Sequence, residues 1–480
     1  MQPIARHKAA IRRQEVSRPI RAALEDGLIS IDRSVLDYGC GFGDDVRLLQ
    51  AQGVAATGWD PVYAPDVERR KTDVVNLGYV LNVIEDLFER VQTLRQAWEH
   101  AQRVLIVAAR LSMEGPGGHD VLFSDGYLTR LGTFQKYFDQ SELRALIRSA
   151  LDEDPVAAGP GVFYVFRDAS LKESLLSRRQ RRIVALPRVR ESDELFEKHK
   201  DVLVPLMEFV GTHGRLPHPD EFPATTVIEE SLGTVKRAFA IVRRVTETQW
   251  TAIREIRSQD LLVYLALARF GGRSNFAALP RALQHDIRAF FSTYANACRK
   301  ADEQLFAAGK QDVVNNACRA CKLGKQTPSA LYIHASLLDR LPTILRVFEG
   351  CARAYMGTKA GATVVKLHRD KPVVSYLYYP TFETDGHPAL QGSLAVYLQG
   401  PSANFRDYSE SDNPPVLHRK EEFVADDYQL RRKFERLTKS EEAHGLYADT
   451  TAIGTRQGWE ATLRARGLVI SGHRLIRSKG

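Results

Sequence analysis

The sequence predicts an α/β protein with a doubly wound parallel sheet, of the Rossmann-like kind, in its first third and a larger mixed α/β region after it. Two observations carry this prediction. Short apolar runs alternate with helical patterns between residues 31 and 170, and a glycine-rich turn joins the first run to the first helix. From Leu171 the chain becomes basic and helical, and the apolar–polar alternation of strands returns over 362–398.

Each element of the predicted sheet has its own local signal. The predicted strands are 35–38, 55–60, 73–77, 104–108 and 162–166, and the predicted helices are 44–52, 86–102 and 138–151. Residues 4–29 have apolar residues at helical spacing, which indicates a helical lead-in that Pro19 splits. Only residues 61–72 separate the second strand from the third, too few for a further helix, strand and helix. We therefore expect an abbreviated sheet.

The length and composition set the domain organisation. A chain of 480 residues exceeds the usual size of one domain, roughly 100–200 residues, and 44% hydrophobic with 26% charged residues excludes wholesale disorder. The predicted parts are a helical lead-in at 1–30, the sheet domain at 31–170, a basic, mainly helical region at 171–310 and a mixed α/β domain at 311–480. No stretch approaches the roughly 18 apolar residues of a membrane span, so a cytoplasmic protein without a membrane partner is expected.

The net charge and the cysteine content limit the binding partners, disulfides and metal sites that the sequence predicts. A net charge of +8 favours attraction to nucleic acid, although many basic proteins bind none. Five cysteines are too few and odd in number for a disulfide framework. Cys318-Arg-Ala-Cys321 has the spacing of half a zinc site, but no second pair lies at zinc-ribbon spacing. Two turn-spaced cysteines on a helix are the preferred interpretation, and no metal is expected.

The strongest local signal is the glycine turn in Val35-Leu-Asp-Tyr-Gly-Cys-Gly-Phe-Gly-Asp44. Glycines at 39, 41 and 43 let the backbone approach a ligand closely, and such a turn lies at the carboxyl ends of the strands. The third glycine comes one residue too early for a dinucleotide fingerprint, which disfavours NAD. Asp37 repels a pyrophosphate but accepts hydrogen bonds from a cationic amino-acid head group. The balance favours S-adenosylmethionine.

Two further polar residues stand at neighbouring strand ends. Asp60 ends the second strand and suits the paired hydroxyls of a ribose, or alternatively caps the turn that follows it. Asn76 ends the third strand, and the loop after it places Gly78 and Tyr79 towards the cofactor. The combination of the glycine turn with these strand ends predicts one cofactor site.

At this point the sequence resembles the class I S-adenosylmethionine-dependent methyltransferases, a Rossmann-like family, over about residues 31–167. The resemblance rests on the acidic glycine turn and on Val80-Leu-Asn-Val-Ile-Glu-Asp86. Asn82 and Val83 replace the family's Glu-His pair, so no role tied to that pair is carried over. The resemblance implies that the cofactor is bordered by Asp37, Tyr38, Gly39, Gly41, Asp60 and Asn76. The catalytic residue stays open, with Tyr79, Asn82 and Asn413 as candidates.

The whole chain is also similar to a bacterial family called DNA phosphorothioation-associated putative methyltransferases. The name of that family reflects the genes found near its members and not a demonstrated reaction. The resemblance therefore implies a role linked to DNA modification and phage defence by association alone. The matching stretches are Ser17-Arg-Pro-Ile-Arg21, Leu24-Glu-Asp-Gly-Leu28, Gly58-Trp-Asp-Pro61, Val75-Asn-Leu-Gly-Tyr79, Leu345-Arg-Val-Phe-Glu-Gly350, Lys366-Leu-His-Arg369 and Ser411-Asp-Asn-Pro-Pro-Val-Leu-His-Arg-Lys420.

Asp412-Asn-Pro-Pro415 resembles the turn with which amino-group methyltransferases of DNA hold a flipped base. Those turns follow a buried strand and end in an aromatic residue, whereas this one follows the polar residues 406–411 and ends in Val416. An extended proline turn is therefore the preferred interpretation.

Basic and aromatic residues later in the chain are candidates for nucleic-acid contacts. Side chains that converge in a basic cluster would position a phosphate backbone. Members of this predicted cluster are Lys366, His368, Arg369, His418, Arg419 and Lys420. Tyr376, Tyr378 and Tyr379 either stack a base or pack in a core, and core packing is the commoner fate.

The sequence thus predicts an S-adenosylmethionine-dependent methyltransferase that acts on DNA or a nucleic-acid-linked substrate in a bacterial DNA-modification or phage-defence system. DNA and other proteins of such a system are the predicted partners. Two alternatives stay open at this stage. One is a non-catalytic DNA-binding regulator with the same cofactor fold, and the other is a small-molecule methyltransferase.

Overall fold

The structure is a computed structural model that describes residues 4–116, 120–189, 193–246, 249–357 and 361–478. The chain divides into two compact units. The first comprises Met1–Asp168, Gly309–Leu341 and Phe348–Gly480, and the second, the helical unit, comprises Ala169–Ala308 and Pro342–Val347. Among the described residues, no helix has the length and apolar character needed to cross a membrane.

The amino-terminal part of the first unit is built on a six-stranded sheet. Its helices are α1 (Arg18–Glu25), α2 (Asp44–Ala51), α3 (Leu87–His100) and α4 (Gln140–Leu151), with 3-10 turns at Arg6–Ala9, Leu81–Val83 and Ser112–Glu114. Its strands are β1 (Val35–Tyr38), β2 (Ala56–Trp59), β3 (Thr72–Gly78), β4 (Ala101–Ala108), β5 (Val121–Phe123), β6 (Gly126–Leu128), β7 (Phe134–Gln135), β8 (Val156–Gly159) and β9 (Val162–Phe166).

The strand order in this sheet is β2-β1-β3-β4-β9-β8. The first four strands are parallel, and β9 runs antiparallel to both β4 and β8. The prediction of a parallel sheet is therefore wrong for the strand at 162–166, because only two residues join β8 to β9, and so short a connection permits only an antiparallel pair. The strands β1 and β9 are buried along their whole length, which is why they read as continuous apolar runs. The register places Asp37 opposite both Gly58 and Asn76, so polar residues from three strands meet at one edge of the sheet.

The five strands and three helices predicted for this part are confirmed within three residues at each end. Residues 61–71 contain no helix or strand, as their number predicted. The antiparallel strand β8 and the small β5-β6-β7 sheet, whose strands are two to four residues long, were not predicted.

The prediction of a helical lead-in split by Pro19 is wrong. Residues 10–17 are not helical, and Pro19 lies in the first turn of α1 instead of within a helix. A proline is tolerated there because the first backbone N–H groups of a helix have no partner within it.

The helical unit contains eight helices among its described residues and has its own apolar core. They are α5 (Ala169–Arg178), α6 (Glu194–Lys198), α7 (Lys200–His213), α8 (Thr225–Leu232), α9 (Val235–Val245), α10 (Trp250–Ala268), α11 (Arg281–Phe291) and α12 (Tyr294–Ala308). Phe196, Leu206 and Ile228 are among the buried residues of that core.

The remaining elements include a second six-stranded sheet, wholly antiparallel, in the order β10-β11-β12-β13-β14-β15. In chain order they are α13 (Gln311–Ala320), β10 (Lys325–Gln326), β11 (Ala330–His334), α14 (Thr343–Met356), β12 (Val364–His368), β13 (Val373–Tyr378), β14 (Gly392–Tyr397), β15 (Ser402–Asp407), α15 (Arg431–Ala443), α16 (Arg456–Ala465), β16 (Leu468–Ser471) and β17 (Arg474–Arg477).

A glycine lies where the end of α14 meets β8 of the first sheet. Gly357 has a φ of +78°, and a Cβ there would lie 2.2 Å from the nitrogen of Gly159 and 2.5 Å from the carbonyl carbon of Ala158. Backbone atoms of a sheet cannot move aside as a flexible side chain can. The contact between the two halves of the first unit therefore requires a glycine at this position.

We predict that Gly357→Ala lowers the free energy of unfolding by about 3 kcal/mol, the sum of a left-handed backbone penalty and an overpacking penalty. Gly400→Ala is the matched control, because Gly400 also has a positive φ, +64°, but nothing lies within 4 Å of its Cβ position. The control loses about 1 kcal/mol. Denaturant unfolding of both variants measures the two losses of unfolding free energy. Equal losses would contradict the close contact between Gly357 and β8.

Candidate cofactor site

A cavity of about 460 Å³ opens at the carboxyl ends of β1, β2 and β3. All six predicted cofactor residues line it, together with Tyr79, Trp59 and residues that precede α1. The six are Asp37, Tyr38, Gly39, Gly41, Asp60 and Asn76. A volume of this size lies in the usual range for small-molecule sites, roughly 300–1,000 Å³.

The glycine turn forms one wall of the cavity. The Gly39 N–H donates to the carbonyl oxygen of Trp59 at 2.7 Å, which ties the turn to the end of β2. Gly39 has a φ of +86°, and a Cβ there would lie 2.4 Å from Cγ2 of Val80. Gly41 has a φ of +51° and faces Ala10. At Gly39 and Gly41, a Cβ would therefore lie too close to a neighbouring side chain, and the positive φ itself favours glycine.

Asp60 caps the turn that follows it and also lines the cavity. Its Oδ1 accepts hydrogen bonds from the N–H groups of Val62 and Tyr63 at 2.9 and 3.0 Å, which caps the turn after β2. Its Oδ2 accepts from the Gly41 N–H at 3.0 Å. Each carboxylate oxygen has two lone pairs, so Oδ2 keeps acceptor capacity for a hydroxyl in the cavity.

Asp37 is a carboxyl group held in an unfavourable environment. It is 4% exposed and accepts a hydrogen bond from Nδ2 of Asn76 at 2.7 Å. Burial, followed by the nearby charge of Asp45, raises the pKa of Asp37 to about 7, against the lowering effect of the Asn76 hydrogen bond. The Oδ1 atom of Asn76 is buried without a hydrogen-bond partner among the described residues. A cationic, hydrogen-bond-donating ligand group would satisfy both residues.

Aromatic and amide side chains form the opposite wall. The rings of Tyr38 and Trp59 have centroids 4.8 Å apart. The Tyr38 hydroxyl donates to Gln96 at 3.0 Å and accepts from Arg69 at 3.1 Å. Sequence reasoning did not find Gln96, because it lies on α3 with no motif around it. Trp59 could have been identified from the sequence, because it directly precedes Asp60.

Residues 5–17, here called the N-terminal strap, cover the cavity. Arg6 pairs with Glu85 at 2.8 Å and with Glu89 at 2.5 Å. Glu85 lies just before α3 and Glu89 in its first turn, and both contacts are bidentate. Further along the strap, the backbone N–H of Arg13 donates to Asp44 at 2.9 Å and that of Ser17 to Asp45 at 2.7 Å.

The three catalytic candidates lie in different places. Tyr79 lines the cavity and adopts a φ of +62°, and its N–H donates to the Ala108 carbonyl oxygen at 2.7 Å. Asn82 is buried and is not among the residues that line the cavity. Asn413 is exposed, and its Oδ1 accepts from the N–H of Gln457 at the start of α16. The geometry brings only Tyr79 to the site.

The predicted basic cluster is not an exposed stripe, because two members are buried. Nε2 of His368 lies 3.0 Å from Oγ of Ser375, and burial lowers the His368 pKa to about 4. Lys420 is 2% exposed and donates to the Phe382 carbonyl oxygen at 2.6 Å. Burial lowers the Lys420 pKa to about 7.

The other members of the cluster have internal contacts. Arg369 donates to Oδ1 of Asn315 at 2.9 Å, and Arg419 pairs with Glu442 at 2.7 Å. The ammonium of Lys366 lies 5.2 Å from the centre of the Tyr332 ring. The prediction of one basic cluster is wrong for His368 and Lys420, which are buried, whereas nucleic-acid contacts by the partly exposed Lys366, Arg369 and Arg419 stay a prediction.

Two of the three candidate stacking tyrosines also belong to the core. Tyr376 is 2% exposed and donates to Oε1 of Glu349 at 2.8 Å, while Tyr379 is 5% exposed. Tyr378 is half-buried and lies edge-on to Phe405. The preferred interpretation of Tyr376 and Tyr379, core packing, is confirmed.

Comparisons with known proteins were made for families, curated proteins and solved structures. No family model matches the chain. No curated protein matches it. Among solved structures, the sugar N-methyltransferase KedS8 from Streptoalloteichus sp ATCC 53650 is 16% identical, with a TM-score of 0.24, over 31% of this chain and 84% of that one.

A second similar structure is a Burkholderia thailandensis 1,6-didemethyltoxoflavin-N1-methyltransferase with bound 1,6-didemethyltoxoflavin and S-adenosylhomocysteine. It is 16% identical, with a TM-score of 0.24, over 34% of this chain and 79% of that one. The resemblance to the phosphorothioation-associated family stays a prediction.

We predict that Asp37→Asn stabilises the protein at high pH. A pKa of about 7 in the fold, against 3.8 normally, means that the folded chain binds the extra proton between about pH 4 and 7, so stability falls as the pH rises through that window. The variant gains about 2–4 kcal/mol at pH 8 and almost nothing at pH 4. Denaturant unfolding at both values measures this, and a gain independent of pH would contradict it.

We predict that Arg6→Ala loosens the strap. Loss of the paired contacts raises hydrogen–deuterium exchange at the N–H groups of Arg13 and Ser17 about tenfold, which corresponds to about 1.4 kcal/mol. Arg299→Ala, which removes an exposed pair with Glu303, is the control. Unchanged exchange in the Arg6 variant would show that the strap is held by its other contacts.

Proposed function

We propose that this chain is an S-adenosylmethionine-dependent methyltransferase whose cofactor occupies the cavity at the ends of β1, β2 and β3. The observation that carries the proposal is the buried Asp37 carboxyl, which lines the cavity beside a glycine turn. A carboxyl with its pKa raised to about 7 binds a cation favourably, because the cation restores the charge that burial penalises.

The other walls fit the same ligand. Asp60 at the tip of β2 is placed to accept ribose hydroxyls, and Trp59 with Gln96 offers an apolar face and an amide to a base. A dinucleotide fits poorly, because its pyrophosphate would meet the carboxylates of Asp37 and Asp60. Arg6, a strap cation beside the cavity, is already neutralised by two glutamates.

We infer that the first sheet is an abbreviated class I methyltransferase sheet. Its support is the parallel order of β2-β1-β3-β4, the antiparallel strands at one edge and the connection 61–71 without a helix or strand. In the absence of that extra helix and strand, the base end of the cavity is bounded by α3 and by the turn after Asp60. In this proposal Gln96 and Trp59, which line that end of the cavity, would contact the base in place of a further strand.

The residues of the chain position the reactants instead of reacting covalently. When bound, S-adenosylmethionine supplies an electrophilic methyl group for in-line transfer to a nucleophile. Asp37 holds the cationic part of the cofactor, and the strap excludes water from the cavity. Tyr79 keeps its strained backbone conformation through the bond to Ala108, which fixes its side chain at the cavity wall.

For the acceptor we propose DNA or a nucleic-acid-linked substrate of a bacterial DNA-modification or phage-defence system. The net charge of +8 and the sequence resemblance to the phosphorothioation-associated family support this. Lys366 and Arg419 add no support for a nucleic-acid acceptor, because they contact Tyr332 and Glu442 of the same chain.

A small-molecule acceptor is the second candidate, and the strap favours it. Residues such as Arg6, Ala10 and Arg13 line the cofactor cavity, so an acceptor must enter beside the strap. A small molecule or a single extruded nucleotide satisfies this condition more easily than an intact duplex.

We predict one binding site for S-adenosylmethionine and for S-adenosylhomocysteine by calorimetry. Asp60→Asn weakens binding about tenfold to a hundredfold, because its hydrogen bonds to ribose lose their charge assistance, worth about 1.5–3 kcal/mol. Asp449→Asn, at an exposed carboxylate that is absent from the lining of the cavity, leaves binding unchanged. No heat with either ligand would contradict the cofactor proposal.

Labelled methyl transfer separates the acceptors. The substrates are phosphorothioated DNA, plain DNA, RNA and a metabolite extract. Label in nucleic acid supports the first acceptor, and label only in small molecules supports the second. Cofactor binding without transfer to any of them would instead identify a non-catalytic regulator.

A further inference from the structure

A second cluster with ligand chemistry lies in the helical unit. Nδ1 of His218 lies 2.5 Å from Oδ1 of Asp220, and Nε2 of His285 lies 3.2 Å from the same oxygen. One nitrogen of each imidazole and one carboxylate oxygen lie within 4.8 Å of one another. Ligand atoms that each lie about 2.0–2.2 Å from one zinc ion are farther apart than the 2.5 Å between His218 and Asp220, so an ion would replace that hydrogen bond.

Two chain segments build this cluster. His218 and Asp220 stand two residues apart in the connection between α7 and α8, and His285 comes from the middle of α11. The connection is held independently of the cluster, because Glu221 pairs with the buried Arg215 at 2.7 Å and accepts from the N–H of His218 at 3.1 Å. The ligand atoms are therefore preorganised.

The two oxygens of Asp220 have different neighbours. Oδ1 lies nearest to both imidazoles, and Oδ2 lies 3.2 Å from the guanidinium of Arg281 and 3.4 Å from Nε2 of His285. A ligating carboxylate typically has its second oxygen held by an outer partner in this way.

We propose that His218, Asp220 and His285 bind one divalent transition-metal ion, with Zn²⁺ as the type case. Imidazole nitrogen with a single carboxylate suits zinc and its first-row neighbours, whereas Mg²⁺ and Ca²⁺ prefer oxygen ligands alone. Three protein ligands leave a fourth position for water, and the His218 side chain, 57% exposed, lies at the open side. The ion links the α7–α8 connection to α11.

The test uses the full chain, freed of any affinity tag and dialysed against a chelator. Zn²⁺ is titrated by calorimetry and Co²⁺ by absorption spectroscopy. We expect one equivalent of each ion, with a Co²⁺ spectrum that lacks the sulfur charge-transfer band of a cysteine site. His218→Gln and Asp220→Asn each weaken binding more than about tenfold, since each removes a ligand.

His444→Gln is the matched control, because His444 is exposed and belongs to the other unit. It leaves the affinity unchanged. His218 is exposed as well, so its variant tests the site without removing a core residue. Absence of binding, equal affinity in the His218 and His444 variants, or a sulfur charge-transfer band would each overturn the proposal.

Discussion

The site depends on the burial of one carboxyl group at the tip of a parallel strand. Asp37 pairs with Asn76 across the β1–β3 register, and burial together with Asp45 raises its pKa to about 7. Such a group costs stability whenever it is ionised, so a fold keeps it at a cost that a bound cation offsets. The glycine turn matters because it brings a ligand close enough to make that pairing.

The elements around Asp37 complete the cavity in which its buried carboxyl group lies. The β2 strand places Asp60 beside the turn, and the strap closes the open side through Arg6 and the glutamates at the start of α3. The strap is held by the ion pairs of Arg6 and by the hydrogen bonds of the Arg13 and Ser17 N–H groups to Asp44 and Asp45.

Local sequence patterns were sufficient for five of the six strands of the first sheet, and the six residues predicted to border a cofactor line one cavity. Apolar runs and the glycine spacing identify β1, the turn and α2 directly, since those signals lie within ten residues. The strap was missed, because its role depends on pairing between Arg6 and Glu85, which are far apart in the chain. The basic cluster was misjudged for a similar reason, because charge alone does not reveal that Lys420 is buried.

The most direct test is proton release when S-adenosylmethionine binds, measured by calorimetry near pH 6 in buffers of different ionisation enthalpy. Asp37 is mainly protonated there in the free protein and becomes ionised beside a cation, so close to one proton is released per bound ligand. Asp37→Asn releases none. Binding with no proton release in the unmodified protein, or equal release in the variant, would contradict the account.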